Sequence, residues 1–181
     1  MLKKFIFCII LIMSSPLDCS AKLIYDNTGR ITFETSDDWF YVSVGEDVAT
    51  MELHSVALDK DTFVTFKQSK FLFDYKSMQH IDESYKSVIR DKLIQSTINF
   101  LKSKGYTAIV NKADILKDGI AMGFTVKKDG IEYPMIEIYT IKDYVVYSLS
   151  ICGTRYTAFR AVEVAKTLKI DGVPFTQWII N

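Results

Sequence analysis

Cysteine and histidine are scarce in this 181-residue chain, with three of the first and two of the second. Cys8 and Cys19 fall in an N-terminal stretch read below as removable, which leaves Cys152 alone. A single cysteine forms no intramolecular disulfide, so the domain has to hold by packing. Two histidines, His54 and His80, cannot build a multi-histidine metal site within one molecule. An excess of charge of one sign is missing too: 22 basic residues face 22 acidic ones. That balance argues against nucleic acid as a partner and against an anionic membrane surface. No GxSxG, HExxH, P-loop, dinucleotide-binding glycine pattern or CxxC pair occurs, so no motif names a catalytic chemistry or a cofactor. Internal repeats, low-complexity runs and linkers are absent as well, and no apolar run is long enough to span a bilayer.

What is present begins with a segment that resembles a secretory signal peptide, residues 1–21. Lys3 and Lys4 form a basic start, Phe5 to Met13 an apolar run of nine residues, and Ser14, Ser15, Pro16, Ser20 and Ala21 a small-residue end. Cleavage after Cys19-Ser20-Ala21 makes Lys22 the first mature residue and leaves 20 basic against 21 acidic residues. The expected location is therefore periplasmic or secreted, with no integral membrane segment after cleavage. A lipoprotein would instead be modified at Cys19, but Asp18 stands where a small uncharged residue is usual. The rest reads as one domain, 22–171, with an apolar tail, 172–181, packed back on it. A hydrophobic content of 49% and an aromatic content of 13% suit a packed core.

The strongest structural signal lies between Gly119 and Gly153. Asp129-Gly130 predicts a two-residue type I′ hairpin, since both residues tolerate positive φ. Pairing Lys128 with Ile131 sets Val126 against Tyr133, Phe124 against Met135, Met122 against Glu137 and Ile120 against Tyr139. A second turn at Lys142-Asp143 sets Tyr139 against Val146 and Glu137 against Ser148. Both faces of the resulting meander are apolar, so both need cover. Shorter strands are expected at Lys22–Asp26, Ile31–Thr35, Trp39–Val44, Met51–Leu58, Thr62–Gln68 and Tyr106–Asn111. A long helix is expected from Asp82 to Lys104, with Tyr85, Val88, Ile89, Ile94, Ile98 and Leu101 inward. A second helix starts near Thr157, carries Ala158, Ala161, Val162, Ala165 and Leu168 on one face, and ends at Gly172 and Pro174.

This order, with Ile31-Thr32-Phe33 and Asp38-Trp39 early, the hairpin Val126 to Ile131, and Ala165-Lys166-Thr167-Leu168 late, resembles the PsbP/Mog-type α/β/α sandwich family over roughly residues 31–170. The resemblance implies an α+β fold: an antiparallel sheet of about six to seven strands with helices covering both faces. The family is mostly non-catalytic and has no shared active-site motif, so it implies docking, assembly or chaperone-like roles.

Few residues point to chemistry. Glu137, mid-sheet beside Met122, Tyr139 and Ser148, reads either as a polar contact in a ligand groove or as a structural acid bonded to Ser148 or Tyr133. Glu52 and His54 share a strand face, where with Asp59 or Asp61 they form a metal site or stand as solvated residues. Cys152 is a nucleophile only if a histidine approaches it, and otherwise a small buried residue or a thiol for intermolecular pairing. Ala121 and Gly123 either admit a close helix or floor a groove. The leading expectation is a non-catalytic exported module that binds or assembles with a protein partner. A secreted effector or periplasmic immunity protein, and a small periplasmic hydrolase or metal-dependent enzyme, are the alternatives. N-terminal sequencing of the chain recovered from outside the cytoplasm should begin at Lys22. A chain still starting at Met1, or one beginning at an acylated Cys19, overturns that cleavage site.

Overall fold

The computed structural model describes residues 22–26, 28–43, 49–69 and 72–180; the expected signal segment, with Cys8 and Cys19, lies outside them. In chain order the strands are β1 (Lys22–Tyr25), β2 (Ile31–Thr35), β3 (Trp39–Ser43), β4 (Ala49–Ser55) and β5 (Phe63–Gln68). A helix α1 (Glu83–Ser103) leads to β6 (Thr107–Ile115), β7 (Ile120–Lys128), β8 (Ile131–Lys142) and β9 (Val145–Cys152). Helix α2 (Ala158–Lys166), β10 (Lys169–Ile170), β11 (Val173–Pro174) and α3 (Gln177–Ile180) complete the chain. The strands form two antiparallel sheets, one of seven in the order β3-β4-β5-β9-β8-β7-β6 and one of four in the order β1-β2-β10-β11. The protein is thus mixed α+β, and the expectation of one sheet covered by helices alone needs correcting. The short sheet, which β2 joins through Ile31 and Thr32, closes one core together with α2.

The β7–β8 register is the one the Asp129-Gly130 turn predicts, from Lys128 opposite Ile131 to Ile120 opposite Tyr139. Asp129 and Gly130 both take positive φ, 52° and 80°, as a type I′ turn requires. The next turn differs from expectation. Its central residues are Asp143 and Tyr144, at φ 49° and 68°, and Lys142 pairs with Val145. The bulky Tyr144 is held in this conformation by backbone bonds, Phe73 N–H to its carbonyl (2.6 Å) and its own N–H to Lys76 (3.3 Å). Tyr139 therefore faces Ser148 rather than Val146, and Glu137 faces Ser150 rather than Ser148. Side chains alternate with period two, so this two-residue slip leaves every residue on its expected face.

Two cores flank the large sheet. One gathers Trp39, Met51, Leu53, Val64, Phe66, Tyr147, Leu149 and Ile151 against Ile31 and Phe33 of β2, Ala161, Val164 and Ala165 of α2, and Phe175 and Ile179 of the tail. The other gathers Ile120, Met122, Phe124, Val126, Tyr133, Met135 and Ile141, with Ile89, Leu93, Ile94, Ile98 and Leu101 of α1 against them. Asp82 is the N-cap of α1, although its side chain makes no capping bond. The C-terminus closes as a Schellman motif, with Tyr106 N–H on Leu101 and Gly105 N–H on Lys102. Tyr85 and Val88, expected inward, are exposed. The turn between them points the stem of Lys86 inward instead and bonds its Nζ to Glu83 at 2.6 Å. Helix α2 ends at Lys166, earlier than expected, because Lys169 and Ile170 leave the helical path to pair with Thr32 and Ile31 of β2.

The end of the sandwich near α2 is tied by Asp38, which accepts from Ser36, from Ser55 (2.5 Å) and from Arg160 (3.1 Å). Burial alone would raise this carboxyl, but those hydrogen bonds and the Arg160 charge outweigh it and hold it below the ordinary range. Close by, β9 passes into α2 through Gly153. A Cβ there would sit 2.8 Å from the backbone N and Cα of Ala158. Gly153→Ala should lower the unfolding free energy by roughly 1–3 kcal/mol through overpacking. Urea unfolding of the variant tests this, and an unchanged midpoint contradicts the contact.

Candidate functional site

Helix α1 has its main strand neighbour in β6, at the edge of the large sheet. The sheet face beyond it carries polar residues of β4 and β5, namely Glu52, Thr65 and Lys67. Between helix and sheet a cleft of about 440 Å³ opens, within the range of small-molecule pockets, roughly 300–1,000 Å³. Its apolar lining includes Phe63, Leu101, Val126 and Met135, and Phe100 stands exposed on the helix side.

Glu137 on β8 lies in this lining, only 6% exposed. Thr97 of α1 donates to its Oε2 at 2.6 Å, Tyr139 to the same oxygen at 3.4 Å, and Ser150 of β9 to Oε1 at 3.3 Å. Burial pushes its pKa above the ordinary value. The three hydroxyls and the Lys67 charge oppose that rise without cancelling it. The Tyr139 phenol is itself raised, first by burial and then by Glu137. A second acid, Asp61, accepts Tyr106 at 3.1 Å and Tyr133 at 3.2 Å. Both of these phenols are raised, by burial first and by Asp61 second. A third, Glu52, contacts His54 Nε2 at 2.6 Å and accepts Thr65 at 3.4 Å. Cys152 lines the cleft, and burial pushes its thiol up to about 12.

The residues singled out in the sequence divide accordingly. Glu137 and Tyr139 meet in the cleft. Ser148 does not line it, because the register slip puts Ser150 in its place. Met122 pairs with Glu137 across β7 and β8 but is buried in the core, outside the lining. Glu52 lines the cleft, while His54 sits between the rings of Phe40 and Phe63, at 6.1 and 6.0 Å. Asp59 is turned to Thr62 and Thr157, away from that pair. Among the described residues no three His, Cys, Asp or Glu side chains gather closely enough to share a metal ion. Gly123 has nothing within 4 Å of where a Cβ would stand, so no close helix explains it. Thr97, Ser150, Lys67 and Lys104 are lining residues that sequence reasoning missed, and Asp61, named there only as a possible metal partner of Glu52 and His54, lines the cleft as well. Thr97 had a readable signal, since it falls on the inward helix face between Ile94 and Leu101.

No family model matches the chain, and no curated protein sequence matches it either. Solved structures do. The solution structure of cyanobacterial PsbP (CyanoP) from Synechocystis sp. PCC 6803 superposes with a TM-score of 0.59 at 13% identity, over 87% of this chain and 98% of that one. A crystal structure from Bacteroides thetaiotaomicron VPI-5482 gives 0.50 at 16% identity, over 84% of this chain and 49% of the other, about half its length. LpqN, titled as involved in cell envelope biogenesis of Mycobacterium tuberculosis, gives 0.43 at 14%, over 83% and 87%, too slight to argue from. At these identities the likeness establishes a PsbP-like fold and nothing further. The family resemblance holds on its PsbP side and does not extend to Mog.

The raised pKa of Glu137 has a consequence for stability. The folded state holds this proton more tightly than the unfolded chain, so its contribution is complete below the unfolded value of about 4.5 and is lost as pH rises through the folded value. Glu137→Gln, which keeps the hydrogen-bonding shape, should gain stability relative to wild type as pH rises from 4 to 8. Urea midpoints at each pH measure the difference. A difference independent of pH shows that the acid is not desolvated.

Proposed function

We propose that this chain is an exported, non-catalytic module that binds a small ligand in the cleft between α1 and the large sheet. The observation that carries the reading is how the cleft's titratable groups are engaged. Glu137, Asp61 and Glu52 each accept from neighbouring side chains, chiefly hydroxyls and a histidine. Convergent acids in a cleft are what a hydrolase would need, and a hydrolase that works through a protein nucleophile needs that group beside its base as well. The Cys152 thiol is pushed up to about 12, far from a thiolate at neutral pH. Neither histidine bonds to it, since His54 contacts Glu52 and His80 contacts Ser77 at 2.8 Å in an exposed turn outside the cleft lining. Apolar walls with a few fixed polar groups suit binding and orientation instead. The fold adds no activity by itself. Export rests on the signal-like residues 1–21, and among the described residues no helix is long and apolar enough to cross a membrane.

A protein-docking reading has one observation in its favour. Val56, Tyr156 and Phe159 are 77%, 81% and 64% exposed, all near the Asp38–Arg160 ion pair that joins the β2–β3 turn to α2. The two readings separate in one experiment with N-phenyl-1-naphthylamine, a neutral aromatic probe, in equilibrium dialysis. The cleft reading expects one probe per chain, binding lost in Ser96→Trp at the cleft wall, and binding unchanged in Tyr156→Ala, with both variants unfolding at the wild-type temperature. Binding that survives Ser96→Trp but falls with Tyr156→Ala moves the site to the exposed patch. The absence of saturable binding sinks the cleft reading.

A further inference from the structure

The cleft's charges are not equally committed. Its three acids are engaged as described, by Thr97, Tyr139 and Ser150, by Tyr106 and Tyr133, and by His54 and Thr65. Its two lysines are held by no ion pair among the described residues, although the Lys67 charge acts on Glu137. Lys67 of β5 and Lys104, the C-cap of α1, both line the cleft and are both exposed. Among the described residues neither forms an ion pair, and the only contact of the Lys104 ammonium is the Phe100 ring, 5.9 Å away. The two cations come from opposite walls, one from the strand and one from the helix. The interior they guard is apolar and aromatic, with Phe63, Leu101, Val126 and Met135.

We propose that the cleft selects a small molecule with an apolar, preferably aromatic, body and a single anionic head group, the body lying along Phe63, Leu101 and Met135 and the head between Lys67 and Lys104. The inference rests on the binding reading above and names its ligand class. Free cations at the mouth attract an anion through solvent and add charge-assisted hydrogen bonds once it is seated. The carboxylates are already held in place by hydrogen bonds to their neighbours, whereas the two exposed ammonium groups have no ion-pair partner among the described residues and can turn to an anion. A doubly charged or purely polar ligand would leave the apolar wall facing water. Glu137 and its hydroxyls then form a fixed polar floor that bounds how deep the body can go.

The test compares two probes of similar aromatic body on the purified chain, 1-anilinonaphthalene-8-sulfonate, which carries one sulfonate, and N-phenyl-1-naphthylamine, which carries no charge. The anionic probe should bind one per chain and more tightly than the neutral one, and should weaken with added salt as the neutral probe does not. The double substitution Lys67→Gln with Lys104→Gln should weaken the anionic probe about ten-fold, in line with two partly exposed charge contacts, and leave the neutral probe unchanged. Lys67→Arg with Lys104→Arg should keep the anionic probe's affinity. If the neutral probe binds at the site that Ser96→Trp blocks while the anionic probe has no advantage, or if the glutamine pair weakens both probes alike, the anionic class is wrong and the binding cleft stands. If neither probe binds at a Ser96-dependent site, both inferences fall together.

Discussion

A sheet that is apolar on both faces cannot leave either one in water, and this constraint organises the whole molecule. On the central strands β5, β9 and β8, Val64, Phe66, Leu149 and Ile151 point one way, and Tyr133, Met135 and Ile141 the other. Each apolar face left bare would forfeit about 25 cal/mol for every Å² not buried. The two connections that leave the meander's neighbourhood supply the cover. The segment between β5 and β6 contains α1, and the segments flanking β3 to β9 contain β1, β2, α2 and the short strands β10 and β11. Hydrogen-bonding β10 to β2 brings the first and last parts of the chain together, so the core under α2 closes only when both ends are in place. The Arg30–Asp171 pair, at 2.7 Å and half exposed, marks that junction on the surface and holds the Asp171 carboxyl below its ordinary range.

The cleft follows from how the second face is covered. A helix of 21 residues is long enough, at about 1.5 Å per residue, to reach across a sheet. Here its main partner is the edge strand β6, and the face of β4 and β5 is made of Glu52, His54, Thr65 and Lys67, residues that tolerate water. The apolar core under α1 therefore ends before the sheet does. Glu137 sits at that boundary, on a buried strand but next to the polar half of the face. An isolated ionised carboxylate in such a place would be costly. Three hydroxyls from three elements reduce the cost, and Thr97 among them ties the helix to the floor of the cleft. The acid is thus hydrogen-bonded within the fold and part of the cleft lining at once, where the sequence had posed a structural acid and a groove residue as alternatives.

The legible parts of the sequence were those where one residue type decides the geometry. Asp129-Gly130 could be read because glycine removes the steric objection to positive φ, and the whole β7–β8 register followed from it. The following turn was misplaced by one residue because it has no glycine. Tyr144 adopts φ 68° through bonds to Lys76 and Phe73, partners far from it in the chain and invisible to local reasoning. The period-two pattern still put Glu137 and Tyr139 on the right face, so the candidate site survived the error, and only Ser148 had to give way to Ser150. The short sheet was illegible for a different reason. β10 and β11 have two residues each, too few for any periodicity, and β2 is readable as a strand without any sign of its partner. The outward turn of Tyr85 and Val88 was missed because hydrophobicity was weighed by type, whereas the stem of Lys86 buries as well as an aliphatic chain when its ammonium has Glu83 to meet.

The distribution of free charge separates binding from chemistry more sharply than the number of acids does. By count the cleft is acidic, with Glu52, Asp61 and Glu137 against Lys67 and Lys104. The two sets differ in how they are held: the hydroxyls of Thr97, Tyr106, Tyr133, Tyr139 and Ser150 are all directed at carboxylates, while the two ammonium groups have no carboxylate within ion-pair reach among the described residues. The groups without an ion-pair partner among the described residues are the two lysines, one on the strand wall and one on the helix wall, and they are the groups on which the proposed ligand contact depends.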